Sequence, residues 1–216
     1  MAERSPKKPS GQTGPISLGG NGPRRHLVKF PTDKAKLELM IAELFVNSRV
    51  LPNNDLRYFS NLKPNPENDL DFTVDTGLGK KLLELAEFAP LDKFKTSYDR
   101  APPYLTMSQF CDFYLELINK KSNHQGGRDR LLLTYKTHSA FFVSLPVIEV
   151  VRRQLSLSQP KFERVYFLSP HDETDASTWE VFPGRPHAMF EKISTEDMLK
   201  MQIEVMNFDD IPLATE

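Results

Sequence analysis

The sequence predicts an α/β protein, a single domain in which helices flank a mixed central β-sheet. Apolar residues recur at spacings of three and four near residues 33–45, 105–121 and 144–158, the period of helices packed on one face. Short apolar runs such as "LLLTY" and "VYFL" lie between or after these segments and have the length of buried strands. A chain of 216 residues, 39% hydrophobic and 26% charged, is long enough for one full core and short for two.

Residues 1–29 are rich in Gly, Pro and Ser and nearly free of large apolar side chains. They are expected to be a disordered basic tail, because they bury too little to offset chain entropy. The domain is expected over residues 30–216, with its core at about 33–168 and a C-terminal extension over 169–216. The first helix starts after Thr32 or Asp33 as N-cap, with Leu37, Met40, Ile41, Leu44 and Phe45 on one stripe. A polar stretch containing "RYFSNL" follows. In "NDLDFTVDTGLGKKLLELAEFAP", residues 68–90, two runs of period two flank a Gly-Leu-Gly turn and predict a hairpin.

Prolines at 90, 102 and 103 make the next segment a loop. Residues 105–121 return to helix and end near Lys120 and Lys121, "DRLLLTYKTH" gives a buried strand, and "SLPVIEVVRRQLSLS" gives a helix with Pro146 in its first turn. "FERVYFLSP" is a further strand and "HDETDASTWE" a polar loop. A short "TWEVFP" strand and a weak helical segment near "STEDMLKMQIEVM" close the chain.

Residues 1–30 carry Arg4, Lys7, Lys8, Arg24, Arg25 and Lys29 against Glu3 alone, a net charge of +5, so within a total of -1 the remainder sums to -6. An acidic body argues against a broad cationic surface for nucleic acid and leaves room for a local groove. No window holds the roughly 18 apolar residues of a membrane span, and no apolar stretch of the roughly 7 to 15 residues of a secretory signal opens the chain. With Cys111 as the single cysteine, these features point to a cytoplasmic setting. Cys111 falls within a stripe of Phe110, Phe113, Tyr114, Leu117 and Ile118 and is read as a packed, inert thiol.

The hairpin carries the chemical clue. With "TGLG" as the turn, Asp75 pairs with Lys80, Thr73 with Leu82 and Asp71 with Glu84, whose Cβ atoms would lie about 4.5 to 5.5 Å apart. Leu82, Ala86 and Phe88 share the side of Glu84, and Leu83 and Leu85 take the other, so the strand is covered on both faces. Carboxylates in such a place must be paired, protonated or bound to a cation, and converging acidic oxygens suit a hard divalent ion such as magnesium.

The stretch "LDFTVDTGLGKKLLELAEF" resembles the core of the PD-(D/E)XK, or restriction-endonuclease-like, nuclease superfamily, in which an Asp opens one strand and a Glu-x-Lys follows in the next. The order of elements over about 33–168 is similar to its αβββαβ core. The resemblance implies a metal-dependent endonuclease cleaving nucleic acid, DNA rather than RNA, with Mg2+ or Mn2+ on Asp71 and Glu84 and with Glu38 or Glu43 of the first helix approaching the ion. Ala86 stands where that motif has lysine, and no proline precedes Asp71. Lys120 and Lys121 are the substitutes the resemblance implies, followed by Lys136, and Arg24 and Arg25 join Lys120 and Lys121 as nucleic-acid contacts. Lysines at a helix C-terminus are also favoured by the dipole alone. The alternative is a relative that keeps the fold, has lost the chemistry and serves as an interaction or regulatory module, and both Ala86 and the acidic body favour it.

Other signals carry less. "TGLGKK" lacks the spacing of a phosphate loop. His171, Asp172, Glu173 and Asp175 crowd one loop and are read as solvated. His124, His138 and His187 lack zinc-site spacing.

Overall fold

The computed structural model describes residues 11–19, 22–51, 58–65, 71–95, 100–123, 129–138 and 140–205. It shows a single α/β domain. In chain order the elements are β1 (Gly11–Gly19), β2 (Gly22–Lys29), α1 (Lys34–Asn47), β3 (Arg49–Leu51), β4 (Phe59–Pro64), β5 (Phe72–Thr76), β6 (Gly79–Glu87) and β7 (Tyr104–Thr106). They continue with α2 (Met107–Ser122), β8 (Arg130–Tyr135), α3 (Leu145–Ser158), β9 (Arg164–Pro170), β10 (Ala176–Phe182), α4 (Thr195–Leu199) and β11 (Gln202–Glu204).

The central sheet has seven strands in the order β3-β10-β9-β8-β6-β5-β4. β4, β5 and β6 form an antiparallel meander, while β6, β8 and β9 run parallel and are joined through α2 and α3. Parallel neighbours need such crossovers, and these two helices cover one face of the sheet. Ala86, Leu132, Val165 and Phe167 meet α2 and α3 there. Alternate residues Leu83, Leu85, Leu131, Leu133, Tyr166 and Leu168 meet α1 on the other face. The result is three layers, and β8 is buried on both sides along its length.

Local signals set the helix starts. Asp33 caps α1 by accepting from the Lys36 amide at 2.9 Å. Thr106 and Gln109 form a reciprocal capping box on α2, and Pro146 occupies the first turn of α3. Among the described residues no helix is long and apolar enough to cross a membrane.

Three segments differ from the sequence reading. The basic tail over 1–29 is in part an antiparallel hairpin of β1 and β2, its residues 1–10 lying outside the described residues. Its base is anchored by buried Val28 and Phe30 against α1 and by the Lys29 amide donating to Glu173 Oε1 at 3.0 Å. Composition hid it because strand pairing satisfies the backbone while few side chains need burial. "RYFSNL", read as a polar stretch, supplies β4, because Phe59 packs on Phe45 with ring centroids 4.5 Å apart and near Tyr166 at 5.9 Å. The supposed C-terminal extension places β10 inside the sheet against β9, with Trp179 stacked on Phe167.

The C-terminal segment is tied down by a buried ionic group. Glu149 of α3 pairs with Arg152 at 2.7 Å and Arg153 at 2.9 Å, and Arg153 donates to the carbonyls of Phe190 and Ile193. Arg152 donates to the Glu180 carbonyl, and Gly184 leaves it the space, since a Cβ there would meet its Nε at 2.7 Å.

Candidate functional site

β6 organises the site because its two faces carry different carboxylates. The register matches the sequence reading where it is laddered, with Asp75 opposite Lys80 and Thr73 opposite Leu82. The ladder ends at Phe72 with Leu83, so Asp71 stands just before the strand. Its Oδ2 accepts a hydrogen bond from the Leu85 amide at 2.7 Å and closes the hairpin.

Glu84 points into the face covered by α2 and α3 and is 1% exposed. Arg130, at the start of β8 and itself fully buried, donates to its Oε2 at 3.1 Å. Lys121, in the last turn of α2, places its ammonium 3.2 Å from Oε1. The Arg130 guanidinium also lies 4.8 Å from the Phe162 ring centroid. A second pair stands near by, Lys81 with Glu163 at 2.7 Å. Asp71 and Glu84 are thus engaged separately, one by a backbone amide and the other by two cations. Among the described residues no group of three or more His, Cys, Asp or Glu side chains is arranged to hold a metal ion.

The opposite face of β6 is built differently. Glu87 ends the strand and accepts a hydrogen bond from the Thr137 hydroxyl. It borders a cleft of about 250 Å³ between the start of α1, the end of β6 and the end of α2. Tyr135, Glu38, Lys34 and Lys121 line that cleft together with Leu37, Leu85 and Leu117. Burial raises the pKa of the Tyr135 phenol, and the charges of Glu87, Glu38 and Asp71 raise it further, so the hydroxyl keeps its proton. Glu38 pairs with Lys34 at 3.3 Å. A second depression of about 260 Å³ adjoins through Glu87 and Leu117 and is lined by Lys93, Glu116 and Lys120 among others. Both lie at the carboxyl ends of parallel strands, the edge at which open α/β sheets receive ligands.

The remaining candidates are placed as follows. Glu43 is exposed on α1 and lines neither cleft. Lys120 is exposed beside the second depression, whereas Lys121 reaches Glu84. Arg24 and Arg25 lie half-buried on β2. Lys136 is buried with its ammonium 5.7 Å from the Phe142 ring centroid, and desolvation lowers its pKa to about 8. Cys111 is buried, and burial followed by the charge of Asp112 pushes its thiol up to about 12. His171 bridges Asp175 at 3.3 Å and Ser177 at 2.9 Å across the β9–β10 turn. The Asp172 carboxyl is held low by hydrogen bonds from Thr174 and Asp175. His124 lies outside the described residues.

Glu87, Tyr135 and Thr137 were not singled out from sequence. The available signal was the alternation in "LELAE", which puts Glu87 on the face opposite Glu84. No protein-family model, curated protein or solved structure matches the chain.

Proposed function

We propose that this protein is a non-hydrolytic interaction module built on a PD-(D/E)XK-like core. With the short strands β3, at the far edge of the sheet, and β7, paired with β11, set aside, the order α1, β4, β5, β6, α2, β8, with β4-β5-β6-β8 adjacent and β6 parallel to β8, supports the αβββαβ reading. The observation that carries the non-hydrolytic reading is the closed state of Glu84. Both of its oxygens face cations, and the side chain is 1% exposed. As it stands this donor set does not fit a divalent ion, because loading Glu84 would leave Arg130 buried beside a displaced partner. Breaking a buried pair in that way costs about 3–5 kcal/mol. Ala86, buried against α2, leaves the motif's lysine position apolar.

A second reading, Mg2+- or Mn2+-dependent cleavage of nucleic acid with DNA preferred, is favoured by one observation. Lys121 brings its ammonium to within 3.2 Å of Glu84 from a neighbouring helix, as a substitute for the motif lysine would. Under that reading Asp71 and Glu84 take the ion, and Arg24, Arg25 and Lys120 contact phosphates. Incubation of linear and circular DNA and of RNA with wild type, Asp71→Asn and Glu84→Gln in either metal separates the two. The module reading expects intact polymers throughout. Cleavage by wild type that both variants lose would replace it with the nuclease.

A further inference from the structure

We infer that the cleft bounded by α1, β6 and α2 receives a single cationic side chain, an arginine on a basic segment of a partner protein. This assignment rests on the module reading and names the partner chemistry of its cleft.

Charge is the first support. Glu87 has the Thr137 hydroxyl as its partner, and Asp71 a backbone amide. Among the described residues neither carboxylate has a cation within ion-pair distance; Asp71 lies outside the cleft's lining, and the two lysines that do line it, Lys34 and Lys121, are paired with Glu38 and Glu84, which leaves Glu87 as the lining carboxylate without a cation beside it.

The second, independent support is Tyr135. It is 4% exposed and lines the cleft, yet its hydroxyl makes no hydrogen bond among the described residues. Its oxygen is open to the cleft rather than sealed in the core, so a donor bound there can reach it. A guanidinium presents several N–H donors in one plane. It can give two of them to the Glu87 carboxylate and another to the phenol oxygen.

Shape and walls agree. At about 250 Å³ the cleft is smaller than the roughly 300–1,000 Å³ of sites for whole small molecules and has room for one long side chain. Pro31, Leu37, Leu85 and Leu117 offer apolar surface for an aliphatic stem, as charged side chains with long stems require. Arginine is favoured over lysine because its fork matches a carboxylate in two parallel bonds. The acidic body supplies a field of the right sign.

The test titrates the tripeptide Gly-Arg-Gly, blocked at both ends, into the full chain and follows NMR shifts of Glu87, Tyr135 and Thr137. Blocked Gly-Lys-Gly, blocked Gly-Gln-Gly and magnesium chloride serve as comparison arms. Saturable shifts with the arginine peptide, weaker ones with lysine and none with glutamine are expected. Glu87→Gln should weaken arginine binding about tenfold, as loss of one charge-assisted contact would. Tyr135→Phe keeps the ring and should weaken it by a smaller factor, and it decides the matter should Glu87→Gln fail to fold. Equal response to arginine and glutamine, no saturable response, or binding unchanged in the variants would overturn the assignment. So would saturation of the same signals by magnesium that the arginine peptide does not displace. Polymer cleavage in the nuclease assay would sink the module reading, whereas failure of the titration alone sinks only the cleft's occupant.

Discussion

Glu84 and Glu87 are three residues apart on one strand and meet opposite fates. Glu84 is sealed between Arg130 and Lys121 beneath two helices, while Glu87 opens on a cleft with a hydroxyl as its partner. The difference comes from the pleat and from what each helix brings. The face under α2 and α3 receives two cations at the level of Glu84. The face under α1 gathers Glu38, Asp71 and Glu87 around a phenol. A buried carboxylate that is neutralised from within is committed to structure, and one with no cation beside it at a cavity remains available to a ligand.

The sharpest way to break this contrast is to remove the sealed acid. Glu84→Ala should destabilise the fold by about 3–5 kcal/mol in chemical denaturation, because the fully buried Arg130 would lose the carboxylate it is paired with. The combined replacement Glu84→Met with Arg130→Met should recover most of that loss, since apolar groups of similar volume replace a buried pair at little cost. A loss in Glu84→Ala no larger than that of a surface change would show the pair to be incidental.

Lys136 tests how dry the sheet's carboxyl edge is. Its pKa of about 8 in the fold lies below the 10.5 of an unperturbed lysine. Between those values the unfolded chain binds the extra proton, so this residue's contribution to stability rises with pH across that window, by up to about 3 kcal/mol. Denaturation of wild type at pH 7.5 and pH 10 should show that rise relative to Lys136→Met. An identical pH response in both proteins would place the ammonium in water.

Glu87→Gln should change stability by less than about 1 kcal/mol, because no buried cation depends on it. A loss comparable to that of Glu84→Ala would erase the distinction between the two faces. The smallest effect is expected at Cys111, whose raised pKa and burial predict negligible labelling by thiol reagents at neutral pH while the protein stays folded.

Much of this architecture could be read from the chain. Apolar periodicity located α1, α2 and α3, and alternation fixed the hairpin register at Asp75 with Lys80 and Thr73 with Leu82. The same alternation showed Glu84 to be buried. It could not show what neutralises it, since Arg130 and Lys121 come from 46 and 37 residues away and only the crossover through α2 brings them there. β4 was missed because a polar-looking segment with one key aromatic, Phe59, pairs as an edge strand. The β1–β2 hairpin was missed because backbone pairing needs little apolar content. Tyr135 read as the end of an apolar run, and its position among three carboxylates is a property of the assembled sheet edge alone.

The central claim, that Glu84 is closed to metal by its own cations, is tested most directly by thermal melting of wild type and Glu84→Gln with and without magnesium or manganese, in parallel with the DNA and RNA assay. The account predicts melting temperatures that metal leaves unchanged in both proteins, and no cleavage. A metal-induced rise in wild type that Glu84→Gln abolishes, accompanied by cutting, would contradict it, since only an ion bound to the native state through that carboxylate produces both.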